Sequence, residues 1–237
     1  VDGELNVETA RRKGRRAATR LPRAQRVADI LAAARTVFSE GDYEESSISE
    51  IAARAGVVEG TIYKFFAGKR DLLHKVIDDW YEGMLADYQN RLAGIEGTRN
   101  RLRFVIRSHL ASIERSPGLC RQVFNEVRGQ KDYFSSSVHD HHRRYTQFAL
   151  DVLRDGIAAG EVRPEIPITL VRDMIYGAAE HLSLAYICGQ GSLDTEGAAD
   201  QLTDMVLAGV LLAEAEGSDA RLERIEVKLD RALAAGS

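Results

Sequence analysis

Between Ser47 and Phe66 the chain reads SISEIAARAGVVEGTIYKFF, and four of these residues sit where a duplex could meet them. Gly60, Thr61, Tyr63 and Lys64 share the side of a helical turn opposite Ile62 and Phe66. A glycine lets a backbone approach DNA closely. A threonine offers a hydroxyl to a base edge and a methyl to thymine. Tyrosine and lysine suit phosphates, which fix position without reading sequence. The plainer alternative is a small core helix with an exposed aromatic.

The flanking residues supply the elements that would hold this face out. Ser47 and Glu50 have the spacing of a capping box, so a helix starts there. Ile48, Ile51, Ala52 and Ala55 give it one apolar side. Gly56 suits a helix end in the left-handed conformation. A second short helix starts at Glu59. The pattern is two helices about a tight turn. Upstream, between Thr9 and Ala28, eight basic residues occur with no acidic one. Arg20 and Arg23 belong to this run, which can follow phosphates or enter a minor groove. A solvated tail is the competing reading. Val27, Ile30, Leu31, Ala34, Val37 and Phe38 mark a preceding helix that ends at Gly41 and completes a three-helix head.

Residues 24–73 resemble the DNA-binding domain of TetR-family transcriptional regulators. The resemblance rests on Ile51-Ala52-x-x-Ala55-Gly56-Val57 and Gly60-Thr61-Ile62-Tyr63-x-x-Phe66-x-x-Lys69-x-x-Leu72-Leu73. It implies an all-α dimer with an N-terminal helix-turn-helix domain on a palindromic double-stranded operator. It also implies a larger C-terminal helical domain that binds a small-molecule effector and dimerises. Carried over by position, Gly60, Thr61 and Lys64 approach bases, and Ser47, Tyr63 and Lys69 contact phosphates. Val58, Glu59 and Phe65 depart from the family's usual residues. They leave the cap weaker and keep open a helical ligand-binding or interaction protein without DNA binding.

Composition agrees with a basic head on an acidic body. The 237 residues carry a net charge of −4. Residues 1–70 hold 13 basic and 10 acidic side chains, and the remainder 19 and 26. That asymmetry fits a DNA reader attached to a sensing domain. Two cysteines, Cys120 and Cys188, suit a reducing compartment, and the first residues lack the apolar centre of a signal peptide. The expected location is cytoplasmic, with no membrane partner.

The expected organisation is a basic arm over 1–20, a head over 21–68, a body over 69–216 and an accessory helix over 217–237. Helical periodicity places body helices near 69–92, 98–115, 119–127, 132–159, 167–188 and 195–215. The pair at 167–188 and 195–215 reads as a dimer surface through Ile168, Val171, Ile175, Ala178, Leu182 and Ala185, then Leu202, Met205, Val206, Gly209 and Leu212. A four-helix bundle between subunits would use them. Trp80, Met84, Tyr88, Phe104, Phe124, Tyr145, Phe148, Tyr176 and His181 are candidates for an effector cavity, set against plain core packing. The arginines along 101–128 are candidates for an anionic effector group.

Catalysis has little support, because no phosphate loop, nucleophile elbow or H-E-x-x-H occurs. His139-Asp140-His141-His142 is the one ligand-like cluster, and a solvated helix face is its expected role. No metal, cofactor or catalytic residue is expected. The reading is a ligand-responsive repressor, released from its operator by a lipophilic or acyl-CoA-like molecule.

Overall fold

A computed structural model describes residues 22–211. The basic arm, including Arg20, and the accessory helix over 217–237 lie outside the described residues. Within them the chain is all-α: α1 Arg23–Glu40, α2 Ile48–Arg54, α3 Glu59–Ile62, α4 Lys69–Leu92, α5 Thr98–Arg115, α6 Pro117–Gln122, α7 Ser137–Ala158, α8 Ile168–Ile187 and α9 Thr195–Val210. No described helix is long and apolar enough to cross a membrane.

The head forms as its local signals direct. Ser47 Oγ accepts from the Glu50 amide at 3.0 Å, capping α2. Glu50 does not reach back; its carboxylate turns to Arg54 at 3.4 Å. At the far end Gly56 has φ 65°. The Gly56 amide donates to Ala53 O at 3.2 Å and the Val57 amide to Ala52 O at 3.0 Å. This is a Schellman end, which satisfies carbonyls the helix itself leaves over. Val58 gives α3 no side-chain cap, and α3 spans only 4 residues. It holds its place by burial instead: Ile62 and Phe66 enter a core with Ile30, Val37, Phe38 and Ile51.

In the body, α5 runs through the middle, packed by α4, α7, α8 and α9. Its buried stripe includes Leu102, Val105, Ile106 and Leu110. Its outer arginines bind α9: Arg99 pairs with Asp204, Arg103 with Asp200 and Glu196, and Arg107 with Glu196. Arg101 pairs with Asp155 of α7. These arginines lace α5 to α7 and α9.

Two boundaries differ from the periodicity. The helix expected from 132 starts instead at Ser137, because Ser136 Oγ accepts from the His139 amide at 3.2 Å and caps α7 there. Ahead of it lies a single 3-10 turn at Tyr133–Ser135. The short helix expected over 119–127 is α6 followed by a π-helical turn at Val123–Val127. The apolar face assigned to dimerisation is divided. Val171, Ile175, Leu202 and Val206 are buried within the subunit, whereas Leu182 and Met205 are exposed, as are Leu170 and Met174 beside them. Leu212 lies outside the described residues.

The head is fastened to the body where α6 meets the carboxyl end of α1. Gln122, only 2 % exposed, donates from Nε2 to Phe38 O at 3.0 Å and Gly41 O at 3.1 Å. A helix leaves its last carbonyls unpartnered, so this side chain supplies what α1 lacks. The approach requires Gly118, where a Cβ would fall 2.0 Å from Ser39 O. Gly118→Ala is therefore expected to push α6 off α1 and cost about 1–3 kcal/mol of stability, in the range of overpacked cores. Thermal unfolding of the variant against the parent checks this.

Candidate nucleic-acid interface and effector cavity

The turn formed by α3 has two unlike sides. Ile62 is fully buried, and Tyr63 beside it is 55 % exposed. Gly60 and Lys64 are exposed, Thr61 is half-buried, and a Cβ at Gly60 would touch nothing within 4 Å. Ser47 and Glu59 are exposed too. The residues singled out for bases and phosphates thus share an accessible face, held by a buried one. Arg23 is exposed and lies over the Phe65 ring at 5.5 Å.

Lys69 is differently employed. Its Nζ donates to Tyr43 O at 2.7 Å and Ser46 O at 3.1 Å, with Glu44 O at 3.5 Å, and sits 4.2 Å from the Tyr43 ring centre. An ammonium has three protons to give. Here the loop between α1 and α2 takes them, and Lys69 acts as a clasp between the head and the start of α4.

A narrow cavity of about 30 Å³ lies inside the body. That is room for about two waters, so an effector must part the walls. Trp80, Tyr81 and Met84 come from α4, His109, Ser112 and Ile113 from α5, and His142 and Tyr145 from α7. Cys120, Val123, Phe124 and Arg128 come from α6 and the π turn, and Glu180 from α8. Four of the sequence candidates, Trp80, Met84, Phe124 and Tyr145, are therefore wall residues. Tyr88, Phe104, Phe148 and Tyr176 stand behind them: ring centres lie at 5.7 Å for Tyr88–Phe104, 5.2 Å for Tyr88–Phe148 and 5.9 Å for Tyr145–Tyr176. His181, expected on the wall, is instead exposed on α8. One residue is about 100° of helix, so with Glu180 on the cavity its neighbour faces away.

Of the polar part of the wall, sequence reasoning named Arg128 only within the arginines of 101–128, and missed His109, His142 and Glu180. Arg128 donates to Glu180 Oε1 at 2.7 Å and to His142 Nε2 at 3.0 Å, and its guanidinium lies 4.8 Å from the Phe124 ring. The π turn puts Phe124 and Arg128 one above the other; π turns recur at functional sites. Guanidinium only donates, so His142 Nε2 accepts and its proton is on Nδ1. The histidine cluster is accordingly no solvated face. His142 lines the cavity, and His141 stacks on Tyr81 with ring centres 6.3 Å apart. Among the described residues no group of His, Cys, Asp and Glu is arranged to hold a metal.

Burial governs titration here. It pulls His109 down to about 3, assisted by His142 and Arg128. It pulls His142 down to about 4, assisted by Arg128 and His139. Burial also lifts the Cys120 thiol to about 12, so it stays protonated and inert.

A helix-turn-helix head on a helical body with an internal cavity defines a ligand-responsive DNA-binding regulator. Residues 30–76 match the family described as bacterial regulatory proteins, tetR family, and residues 96–210 match the tetracyclin repressor-like C-terminal domain. The chain belongs to the TetR family, whose members are regulators and not enzymes. The fatty acid metabolism regulator protein of Bacillus subtilis (strain 168) is 23 % identical over 181 residues, 76 % of this chain and 93 % of that one. The HTH-type transcriptional repressor KstR2 of Mycolicibacterium smegmatis is 22 % identical over 194 residues, 81 % and 94 % of the two chains. Among solved structures, FadR from Bacillus subtilis in complex with stearoyl-CoA superposes with a TM-score of 0.69 at 22 % identity, covering 77 % of this chain and 98 % of that one. The ketosteroid regulator KstR2 of Mycobacterium tuberculosis gives 0.60 at 21 % identity, covering 81 % and 98 %. These structures share the fold.

The depressed histidines imply a sign for acid stability. Both rings are neutral in the folded protein down to about pH 4 and 3. In the unfolded chain they take protons from about pH 6.5 downward. The unfolded state then binds more protons, so stability is full above pH 6.5 and falls as pH drops. Each ring contributes a slope of about 1.4 kcal/mol per pH unit between its two pKa values. His74, also lowered by burial and by Arg70, adds with the same sign. Chemical denaturation at pH 7, 6 and 5 is expected to show this loss, and His142→Gln is expected to flatten it.

Proposed function

We propose that the protein is a homodimeric repressor whose two heads hold a palindromic operator until a lipophilic, acyl-CoA-like molecule enters the body. The observation that carries this is the route from cavity to head. Cys120, Val123, Phe124 and Arg128 line the cavity, and Gln122 of the same segment binds the end of α1. A molecule too large for the cavity must displace that wall, and the wall is bonded to the head. The effector class is supported by the aromatic and methionine lining, and by relatives whose names refer to fatty acid metabolism, stearoyl-CoA and ketosteroids.

On the DNA side, Gly60, Thr61 and Lys64 approach bases, and Ser47, Tyr63 and Arg23 meet phosphates. Arg20 extends the phosphate track. Lys69 acts through the placement of the head, because its protons are committed to the loop after α1. The dimer uses the outward faces of α8 and α9, where Leu170, Met174, Leu182 and Met205 are exposed. Two heads then meet half-sites about 34–36 Å apart.

Fluorescence anisotropy on duplex selected from a random pool tests the DNA reading. Lys64→Ala is expected to weaken binding and to relax sequence preference at the base pair it meets. Tyr63→Ala is expected to weaken binding while the dimer persists. Binding by both variants at parental affinity would refute the contact assignment. For the dimer, Met174→Asp is expected to shift the sedimenting species to monomer and lose affinity for the full palindrome. A variant that remained dimeric would place the interface elsewhere.

A further inference from the structure

Behind the cavity wall a buried row of polar groups joins α5, α4 and α7. Tyr88 Oη donates to Val105 O at 3.1 Å. Tyr88 Oη and Tyr145 Oη are 2.9 Å apart, and Tyr145 Oη lies 3.0 Å from His109 Nδ1. A carbonyl can only accept, so the Tyr88 proton is spent on Val105. The Tyr145 proton must then fill the gap to Tyr88, or that contact holds two bare oxygens. This leaves the His109 contact to be filled by a proton on Nδ1. Across these three contacts, one direction alone puts a proton in each: His109 to Tyr145 to Tyr88 to Val105.

The consequence falls on the other ring nitrogen. His109 is neutral at physiological pH, since burial holds its pKa near 3. With its single proton on Nδ1, Nε2 carries a lone pair. His109 lines the cavity, and Nε2 is buried without a partner. Two of the polar groups nearby are engaged, Arg128 with Glu180 and His142, and Ser112 with the His109 carbonyl at 2.7 Å.

We propose that His109 Nε2 is a hydrogen-bond acceptor that selects effectors bearing a hydroxyl group within their apolar part. This rests on the effector reading above and sharpens it. Nε2 already lacks a partner before any effector enters, and an effector without a donor at that position leaves that cost in place. One that carries a hydroxyl removes that cost and gains the bond. The aromatic wall accounts for the apolar part, and Tyr145, by orienting the ring, is the positioning residue.

Selective ¹⁵N-histidine labelling tests the proton assignment on the intact protein, which has 6 histidines. Nε2 couples to both carbon-bound ring protons and Nδ1 to one. The His109 nitrogen without a proton is expected to couple to both. In Tyr145→Phe, where Nδ1 loses its acceptor, the tautomer is expected to shift toward Nε2–H. A parental spectrum with the proton on Nε2 would overturn the proposal.

Binding of 1-octanol and octyl methyl ether, followed by calorimetry, tests the selection. The two differ in the donor, while the ether is the more apolar. The alcohol is expected to bind about tenfold tighter to the parent, and the preference to vanish in Tyr145→Phe and His109→Phe. Ether binding as tight as alcohol, or no binding of either at millimolar concentration, would overturn it. Failure to bind DNA would defeat the proposed function but leave both measurements standing.

Discussion

The seat of α6 on the end of α1 is the constraint on which the rest of the molecule depends. A helix end exposes carbonyls that want donors. In this protein the donors come from Gln122, a residue of the segment that also builds the cavity wall. Stability of the head and shape of the cavity are therefore one problem. The three-helix head is small, and a core of that size is marginal alone. Borrowing a buried glutamine from the body stabilises it and exposes its position to whatever moves the body.

The clasp at Lys69 works alongside that seat. A lysine in the first turn of α4 faces an unfavourable helix dipole. It is held by the carbonyls of Tyr43 and Ser46 and by the Tyr43 ring. The loop after α1 is thereby tied to the first turn of the helix that enters the body. Seat and clasp fix α1 from two directions, and α2 and α3 follow through the shared core of Ile30, Phe38, Ile51, Ile62 and Phe66. The reading face needs no strong cap on α3, because its buried side is pinned.

The cavity combines an apolar wall with polar atoms that are almost all committed. Charge is kept in one pair, Arg128 with Glu180, while both histidines stay neutral. In such surroundings an uncommitted lone pair carries more weight than it would in water. That is why one nitrogen of His109 matters to selectivity although the wall is dominated by rings.

Local signals were legible in the sequence wherever the chain itself satisfies them. Ser47 capping α2, Gly56 closing it, and Ile62 and Phe66 turning inward each depend on neighbours a few residues away. So does the segregation of Gly60, Tyr63 and Lys64 to the other side. Apolar periodicity likewise placed the long body helices. What it could not fix was rotation about the helix axis. Spacing alone admits His181 to the wall, and it is Glu180 that faces in. Spacing alone admits Val171 and Ile175 to a dimer face, and they fill the subunit. The pairing of Arg128 with Glu180, the π turn that aims it, the employment of Lys69 and the proton order through Tyr145 all join residues distant in the chain. Nothing in the spacing of one segment encodes which carbonyl or ring another segment will bring to it. Those contacts exist only once α4 to α8 have packed, and tertiary structure alone decided them.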